Sequence, residues 1–260
     1  MDQRRILIKI GGQAFTGEKG FGELARGISA HPEVEVVIVH GGGAEISQAL
    51  KEARRPTQFV DGIRVTRGAD MRIVDQVLSD TVNPRIAGWL EAHGVACCRL
   101  SGKTRELLVV KPFIKDGRDY GYVGEVDRVN PRVVREALAE GRVPVISPIS
   151  ANDRGVVHNV NADNAAAALA AALQSTDLVF VTDVPGVRAG GETCARLDIA
   201  QTRQLIADGT IQGGMVAKIT AGRRALEQGV PRVHIIAWEG EGTFRQIVTA
   251  QRGGGTVLVC

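Results

Sequence analysis

The sequence predicts an α/β protein with a mostly parallel sheet covered by helices on both faces. Three observations lead there. Short apolar runs alternate with helix-patterned stretches along nearly all of the 260 residues. Several of those runs are apolar at successive positions, as strands buried on both faces must be. The helical stretches carry their own stop and start signals, glycine at the end or Asn-Pro at the beginning.

Taken in chain order, "RRILIKI" (4–10) is a buried strand that runs into a Gly-Gly turn, and "VEVVIVH" (34–40) is a second strand. "AEISQALKEA" (44–53) and "NPRIAGWLEAHG" (83–94) read as helices, and "GVACCRL" (94–100) as the next strand. The β-α rhythm breaks at "LLVVKPFIKDGRDYGYVGEVDRV" (107–129), whose alternation around "KDGRDYG" predicts an antiparallel hairpin set onto the sandwich. It resumes with helix 130–141, strand 143–149, the Ala-rich helix 164–173, strand 177–184, helix 215–229 and strand 232–238. "QST" (174–176) marks the expected boundary between an N-terminal lobe, 1–175, and a C-terminal lobe, 176–260.

Composition narrows the function. The chain is 44% hydrophobic and 23% charged with a net charge of +3, ordinary for a globular protein. Basic residues come at most in pairs and aromatics make up 4%, so nucleic acid is not an expected partner. No apolar run approaches the ~20 residues of a membrane span, and no secretory leader precedes the first strand. The expectation is a soluble, cytoplasmic protein. Cys97, Cys98, Cys194 and Cys260 form no C-x-x-C pair and read as inert packing or surface thiols.

Lys9 stands out within the first strand, because burying an ammonium costs several kcal/mol, in round terms, unless an anion answers it. Gly11-Gly12 follows it, and strand two ends in "HGGG" (40–43) opening a helix. Two glycine turns on neighbouring strands leave backbone N–H groups and a helix dipole facing one place, which suits a phosphate. The familiar nucleotide loops are absent. "SGKT" (101–104) lacks the first glycine of a P-loop, and "GGGAEI" lacks the last glycine of the dinucleotide fingerprint.

"HNVNADNAAAALAAAL" (158–173) adds Asn159, Asn161 and Asp163 beside a helix start. Asp163 reads either as an N-cap or as a group that organises cations. Lys218 falls in the first turn of the helix expected from Met215, where the dipole opposes it. It either reaches solvent or serves an anion held at "IQGG". Arg64, in "FVDGIRVT", offers a fork for a carboxylate. Asp183, in "VTDVPGV", ends a strand in a turn suited to a nucleotide.

Together these stretches resemble the amino acid kinase family. The resemblance runs through "KIGG", "VIVHGGG", "FVDGIRVT", "LSGK", "VGEV", "PVISPI", "NVNADNAAAALA", "TDVPGV", "GGMVAK" and "GGGTVLV" in family order. It implies an open αβα sandwich with a mainly parallel eight-stranded sheet, the carbamate kinase-like fold. It also implies an N-terminal lobe that binds an acyl amino acid and a C-terminal lobe that binds ATP. The branch resembled is the one whose acceptor is N-acetyl-L-glutamate, on the route to arginine. Other acyl amino acids, carrier-linked aminoadipate or glutamate, and a non-catalytic metabolite-binding domain are the alternatives.

By that resemblance, Lys9 and Lys218 contact the transferred phosphoryl group and Asp163 holds both ammoniums. Gly11, Gly12 and Gly43 offer it N–H groups. Gly42, Gly43, Arg64, Asn159 and Asn161 grip the acyl substrate. Asp183, Val184, Pro185, Gly186, Val187 and Arg188, with Thr210, Ile211 and Gln212, line the nucleotide site. Mg²⁺ rides on the ATP phosphates, with no metal site on the protein itself. Arginine-inhibited members carry an extra N-terminal helix, for which the segment ahead of "ILIKI" has no room, so the resemblance implies a homodimer weakly inhibited by arginine or not at all.

Overall fold

A computed structural model of the chain describes residues 3–11, 15, 17–60, 62–249 and 254–260. Its frame is an eight-stranded sheet built from β1 (Arg4–Ile10), β2 (Val34–His40), β5 (Cys97–Ser101), β8 (Val143–Ser147), β11 (Asp177–Thr182), β14 (Arg196–Asp198), β15 (Arg232–Ala237) and β16 (Thr256–Val259). The spatial order is β14-β16-β15-β11-β1-β2-β8-β5. All neighbours are parallel except β15 and β16. The open αβα sandwich expected from the sequence is therefore present. β1 pairs with β2 on one side and β11 on the other, so a single sheet runs across the 175/176 position.

Alternation along the central strands fills two cores. Ile6, Ile8 and Ile10 of β1 join Val36, Ile38, Val179 and Val181 on one face. Leu7 joins Val37, Val39, Leu178 and Phe180 on the other. Period-two geometry puts Lys9 on the Leu7 face. That face is covered by the Ala-rich α6 (Ala162–Ala172), whose Ala165, Ala166 and Ala170 are wholly buried. Small side chains let α6 approach the sheet closely and bring its N-terminus over the end of β1.

The remaining helices are α1 (Gly17–Ser29), α2 (Gly43–Glu52), α3 (Gly68–Asp75), α4 (Asn83–Glu91), α5 (Arg132–Ala139), α7 (Ile199–Ala207), α8 (Gly214–Glu227) and α9 (Glu241–Thr249). α3 and α4 are continuous through Gln76–Val82, which is wound as a π-helix. Asn83-Pro84 therefore does not begin a helix as expected. The wider π turn accommodates Pro84, which lacks an N–H and would crowd an ordinary helical turn. Asn83, freed from capping, is buried and donates Nδ2–H to the carbonyl of Val145 at 2.9 Å.

The hairpin expected at 107–129 exists as β6 (Leu108–Lys115) and β7 (Arg118–Val129), paired antiparallel. It does more than sit on the sandwich. With β9 (Ile149–Ala151) and β10 (Val157–Val160) it closes a four-stranded barrel. Pro148 ends the strand expected to run to 149 and separates β8 from β9. Two small ribbons complete the chain: β3 (Gln58–Val60) with β4 (Ile63–Val65), and β12 (Arg188–Ala189) with β13 (Glu192–Thr193).

Cys97 packs against one core and Cys98 against the other, as adjacent strand positions require. Burial pushes the Cys97 thiol up to about 12, which leaves it protonated and unreactive.

Candidate active site

The buried lysine of β1 finds its anion inside the protein. Lys9 Nζ lies 2.8 Å from Asp163 Oδ1. Lys218 Nζ, arriving from α8, lies 3.3 Å from the same Oδ1 and 3.2 Å from Oδ2. The three residues are 8%, 7% and 9% exposed for Lys9, Asp163 and Lys218 respectively. Burial by itself would raise the Asp163 carboxyl, but the two ammoniums outweigh it and hold the group below the usual carboxylate range. Burial lowers Lys218, and Lys9 adds to that, while Asp163 and Asp183 pull the other way; the net direction is down. Phe180 supports the Lys218 ammonium from below, with its ring centroid 5.3 Å from Nζ.

The N-cap reading of Asp163 does not hold. Asn161 is the cap of α6, its Oδ1 accepting the N–H groups of Asp163 at 2.9 Å and Asn164 at 3.2 Å. Asp163 is the second residue of the helix, with its carboxylate free for the lysines. Lys218 is the fifth residue of α8, because the helix begins at Gly214. That is one turn in from the end, so the dipole penalty is smaller than a first-turn position implies.

Two cavities meet at Asp163. One, of about 500 Å³, is bordered by Lys9, Gly42, Gly43, Arg64, Asn159 and Asn161. The other, of about 460 Å³, is bordered by Gly11, Asp183, Val184, Gly214, Met215 and Lys218. Asn161 and Asp163 border both. All five residues expected to grip an acyl substrate thus surround one cavity, and each lysine faces the junction from its own side.

In the first cavity Arg64 is buried and donates Nη2–H to the Gly43 carbonyl and to Ser47 Oγ, each at 2.8 Å. Its Nη1 is also buried and has no partner among the described residues. A buried guanidinium nitrogen without an acceptor marks a place for an incoming oxygen. Phe59 caps the guanidinium at 4.6 Å and remains exposed on its outer face. Gly43 opens α2, so its N–H has no intrahelical acceptor. Gly42 is needed for close approach, since a Cβ there would lie 2.6 Å from Leu78 Cδ2.

Gly11 plays a different part from the one expected. Its N–H is engaged by the Val181 carbonyl at 3.3 Å, so it is not a free donor. What the position supplies is space, because a Cβ would sit 3.1 Å from Lys9 Nζ. Gly12 lies outside the described residues.

Of the nine residues that the resemblance assigns to the nucleotide, Asp183 and Val184 border the second cavity, and 185–188 and 210–212 lie outside its lining. Val187 and Ile211 are core residues, 1% and 4% exposed. Arg188 donates Nη2–H to the Gly191 carbonyl within its own ribbon. The Thr210 N–H and the Gln212 amide bond Asp208 and Gly209 of their own turn.

Sequence reasoning missed Thr66, Phe59 and Leu78. Thr66 is buried, donates Oγ–H to the Arg64 carbonyl at 3.2 Å and accepts Asn159 Nδ2–H at 3.2 Å, linking two residues of the first cavity. Phe59 and Thr66 flank Arg64 in "FVDGIRVT", so the motif held the signal. Leu78 sits in the π-helix, which no local pattern announced.

The amino acid kinase family's sequence profile matches residues 4–237, nearly the whole chain. The chain belongs to the amino acid kinase family. Among curated members of the family, an acetylglutamate kinase from Geobacillus stearothermophilus is 43% identical over 82% of this chain and 81% of that protein. One from Prochlorococcus marinus is 40% identical over 98% of this chain and 84% of that protein. Among solved structures, smu.665 from Streptococcus mutans superposes with a TM-score of 0.83 at 30% identity, covering 98% of both chains. Giardia carbamate kinase superposes at 0.67 with 16% identity over 100% of this chain and 99% of that one, a likeness of fold alone.

Proposed function

We propose that this amino acid kinase family member transfers the γ-phosphoryl group of ATP to the side-chain carboxylate of N-acetyl-L-glutamate, giving N-acetyl-glutamyl 5-phosphate in arginine biosynthesis. The observation that carries the reading is the pair of buried ammoniums, from β1 and α8, held on one carboxylate where two cavities join. The relatives named acetylglutamate kinase support the choice of acceptor.

The acceptor carboxylate is already ionised at pH 7, so no strong base is required. The barrier is repulsion between two anions, and catalysis is positioning plus positive charge. Arg64 Nη1 and the Asn159 amide hold the acyl amino acid, with the Gly43 N–H at the reacting end. Lys9 neutralises charge from the acceptor side and Lys218 from the nucleotide side. Asp163 keeps two like charges close enough to act on one PO₃ unit. In this reading residues 1–175 carry the acyl amino acid and 176–260 carry ATP.

Asp183 is the carboxylate of the nucleotide cavity not already committed to lysines, which fits a Mg²⁺ that keeps most of its ligands from water and phosphate. When bound, the ion would neutralise the ATP phosphates. A homodimer in the cytoplasm belongs to the same proposal, and light scattering tests the dimer.

The test measures ATP consumption with hydroxylamine trapping of acyl phosphate, offering N-acetylglutamate, glutamate, aspartate and N-acetylaminoadipate in turn. N-Acetylglutamate should give the trapped hydroxamate. Hydroxamate formed only from a different acid would replace the acceptor.

A further inference from the structure

We propose that Asn161 is a positioning residue: it serves the reaction through Asp163, by fixing the first turn of α6 so that one carboxylate spans both ammoniums. The proposal rests on the phosphotransfer reading above and gives Asn161 a different part from gripping the acyl substrate.

The argument is geometric. Asp163 has to serve two cations unequally placed, Lys9 at 2.8 Å and Lys218 at 3.2 and 3.3 Å. Oδ1 is shared between them, so a modest rotation or shift favours one lysine and abandons the other. Electrostatics alone would draw the carboxylate toward the nearer Lys9. The backbone of residue 163 must therefore be held by something other than the ion pairs. Asn161 Oδ1 does this by accepting the N–H of Asp163 itself and that of Asn164. That oxygen is consumed in the cap, although the residue borders both cavities. The helix continues Ala162, Asp163, Asn164 and then a run of alanines, and the Asp163 carboxylate is already engaged by the two lysines, so the cap rests on Asn161.

The groups facing Lys218 are Asp163 from α6, Lys9 from β1 and Asp183 at the end of β11. If the carboxylate drifts toward Lys9, Lys218 loses its main stabilising charge and gives up its proton at a lower pH. Asn161→Ala should lower kcat about tenfold and leave both KM values within about twofold of the parent. The alkaline limb of its kcat profile should move to lower pH. Asn161→Ser restores a capping oxygen and should restore kcat and the limb.

A raised KM for N-acetylglutamate with kcat intact would overturn the proposal in favour of substrate contact. A lower Tm with kinetics and pH profile unchanged would overturn it in favour of a purely structural cap. NMR titration of the Lys218 ammonium in the ligand-free protein needs no turnover and separates this idea from the parent one. A lower Lys218 pKa in Asn161→Ala, in a protein that ignores N-acetylglutamate, sinks the acceptor assignment and keeps the positioning role. An unchanged Lys218 pKa sinks the positioning role whatever the substrate.

Discussion

Replacing Asp163 with Asn removes the charge between two buried ammoniums and keeps the side-chain shape. At an effective dielectric of about 20, unit charges about 3 Å apart attract by roughly 5 kcal/mol. Lys9 and Lys218 both lie close to that separation, at 2.8 and 3.2 Å. Desolvation of three ions offsets much of the attraction, so deleting one partner should cost about 3–5 kcal/mol of stability. In a chain of this size that is a fall in Tm of roughly 10 °C. Turnover should fall further than stability explains. An amide cannot hold two ammoniums together, and kcat should drop by about 10²–10³. The sign of the pH dependence follows from the depressed Asp163 value, since the group ordinarily titrates near 3.8. Its stabilisation is present above that pH and is lost as pH falls through the lower folded value. Asp163→Asn should flatten that acid limb. The assays are thermal unfolding from pH 3 to 8 and steady-state kinetics with saturating ATP. A variant whose Tm stays within about 2 °C and whose kcat stays within about threefold of the parent would refute the reasoning.

Lys9→Ala should fold, bind a nonhydrolysable ATP analogue and lose most of its turnover; a folded variant with near-native kcat removes Lys9 from the mechanism. Arg64→Lys keeps the charge but loses the planar fork, so KM for the acyl substrate should rise about tenfold or more with little change in kcat. An unchanged KM would free Arg64 from the substrate. Far from the site, Asp177 is wholly buried and gathers Arg4 at 3.1 Å, Arg232 at 2.8 Å, His234 at 2.9 Å and the Thr176 hydroxyl at 2.8 Å. Burial alone would raise its carboxyl, but the hydrogen bonds and charges from His234 and Arg232 depress it strongly. Asp177→Asn should cost roughly 2–3 kcal/mol in urea unfolding at pH 7. The parent should keep this contribution above about pH 4 and lose it only in stronger acid; equal stability of the two proteins at pH 7 contradicts the assignment.

The sequence by itself determined the layers and much of the chemistry. Near-continuous apolar runs in 6–10, 34–40 and 177–182 dictated buried parallel strands, because such segments can bury both faces in few other ways. A lysine inside the first of them announced an anion, because an unanswered buried charge is too costly. "FVDGIRVT" carried Arg64, and "NVNAD" carried both the cap and the carboxylate, without revealing which residue did which. That distinction was decided by where α6 begins, a matter of one residue in the helix register. Tertiary structure alone brought Lys9 and Lys218, 209 positions apart, onto one carboxylate, since their meeting depends on α6 and α8 packing over the same face of the sheet. It also set Asp183 and Val184 at the rim of the second cavity and Val187 and Ile211 in the core, because the sequence cannot tell a residue facing a cavity from its neighbour turned inward. The barrel closed by β6, β7, β9 and β10, and the π-helix that lifts Leu78 against Gly42, had no local signature. Both arise from long-range pairing and from the room the packed sheet leaves, which a one-dimensional pattern does not record.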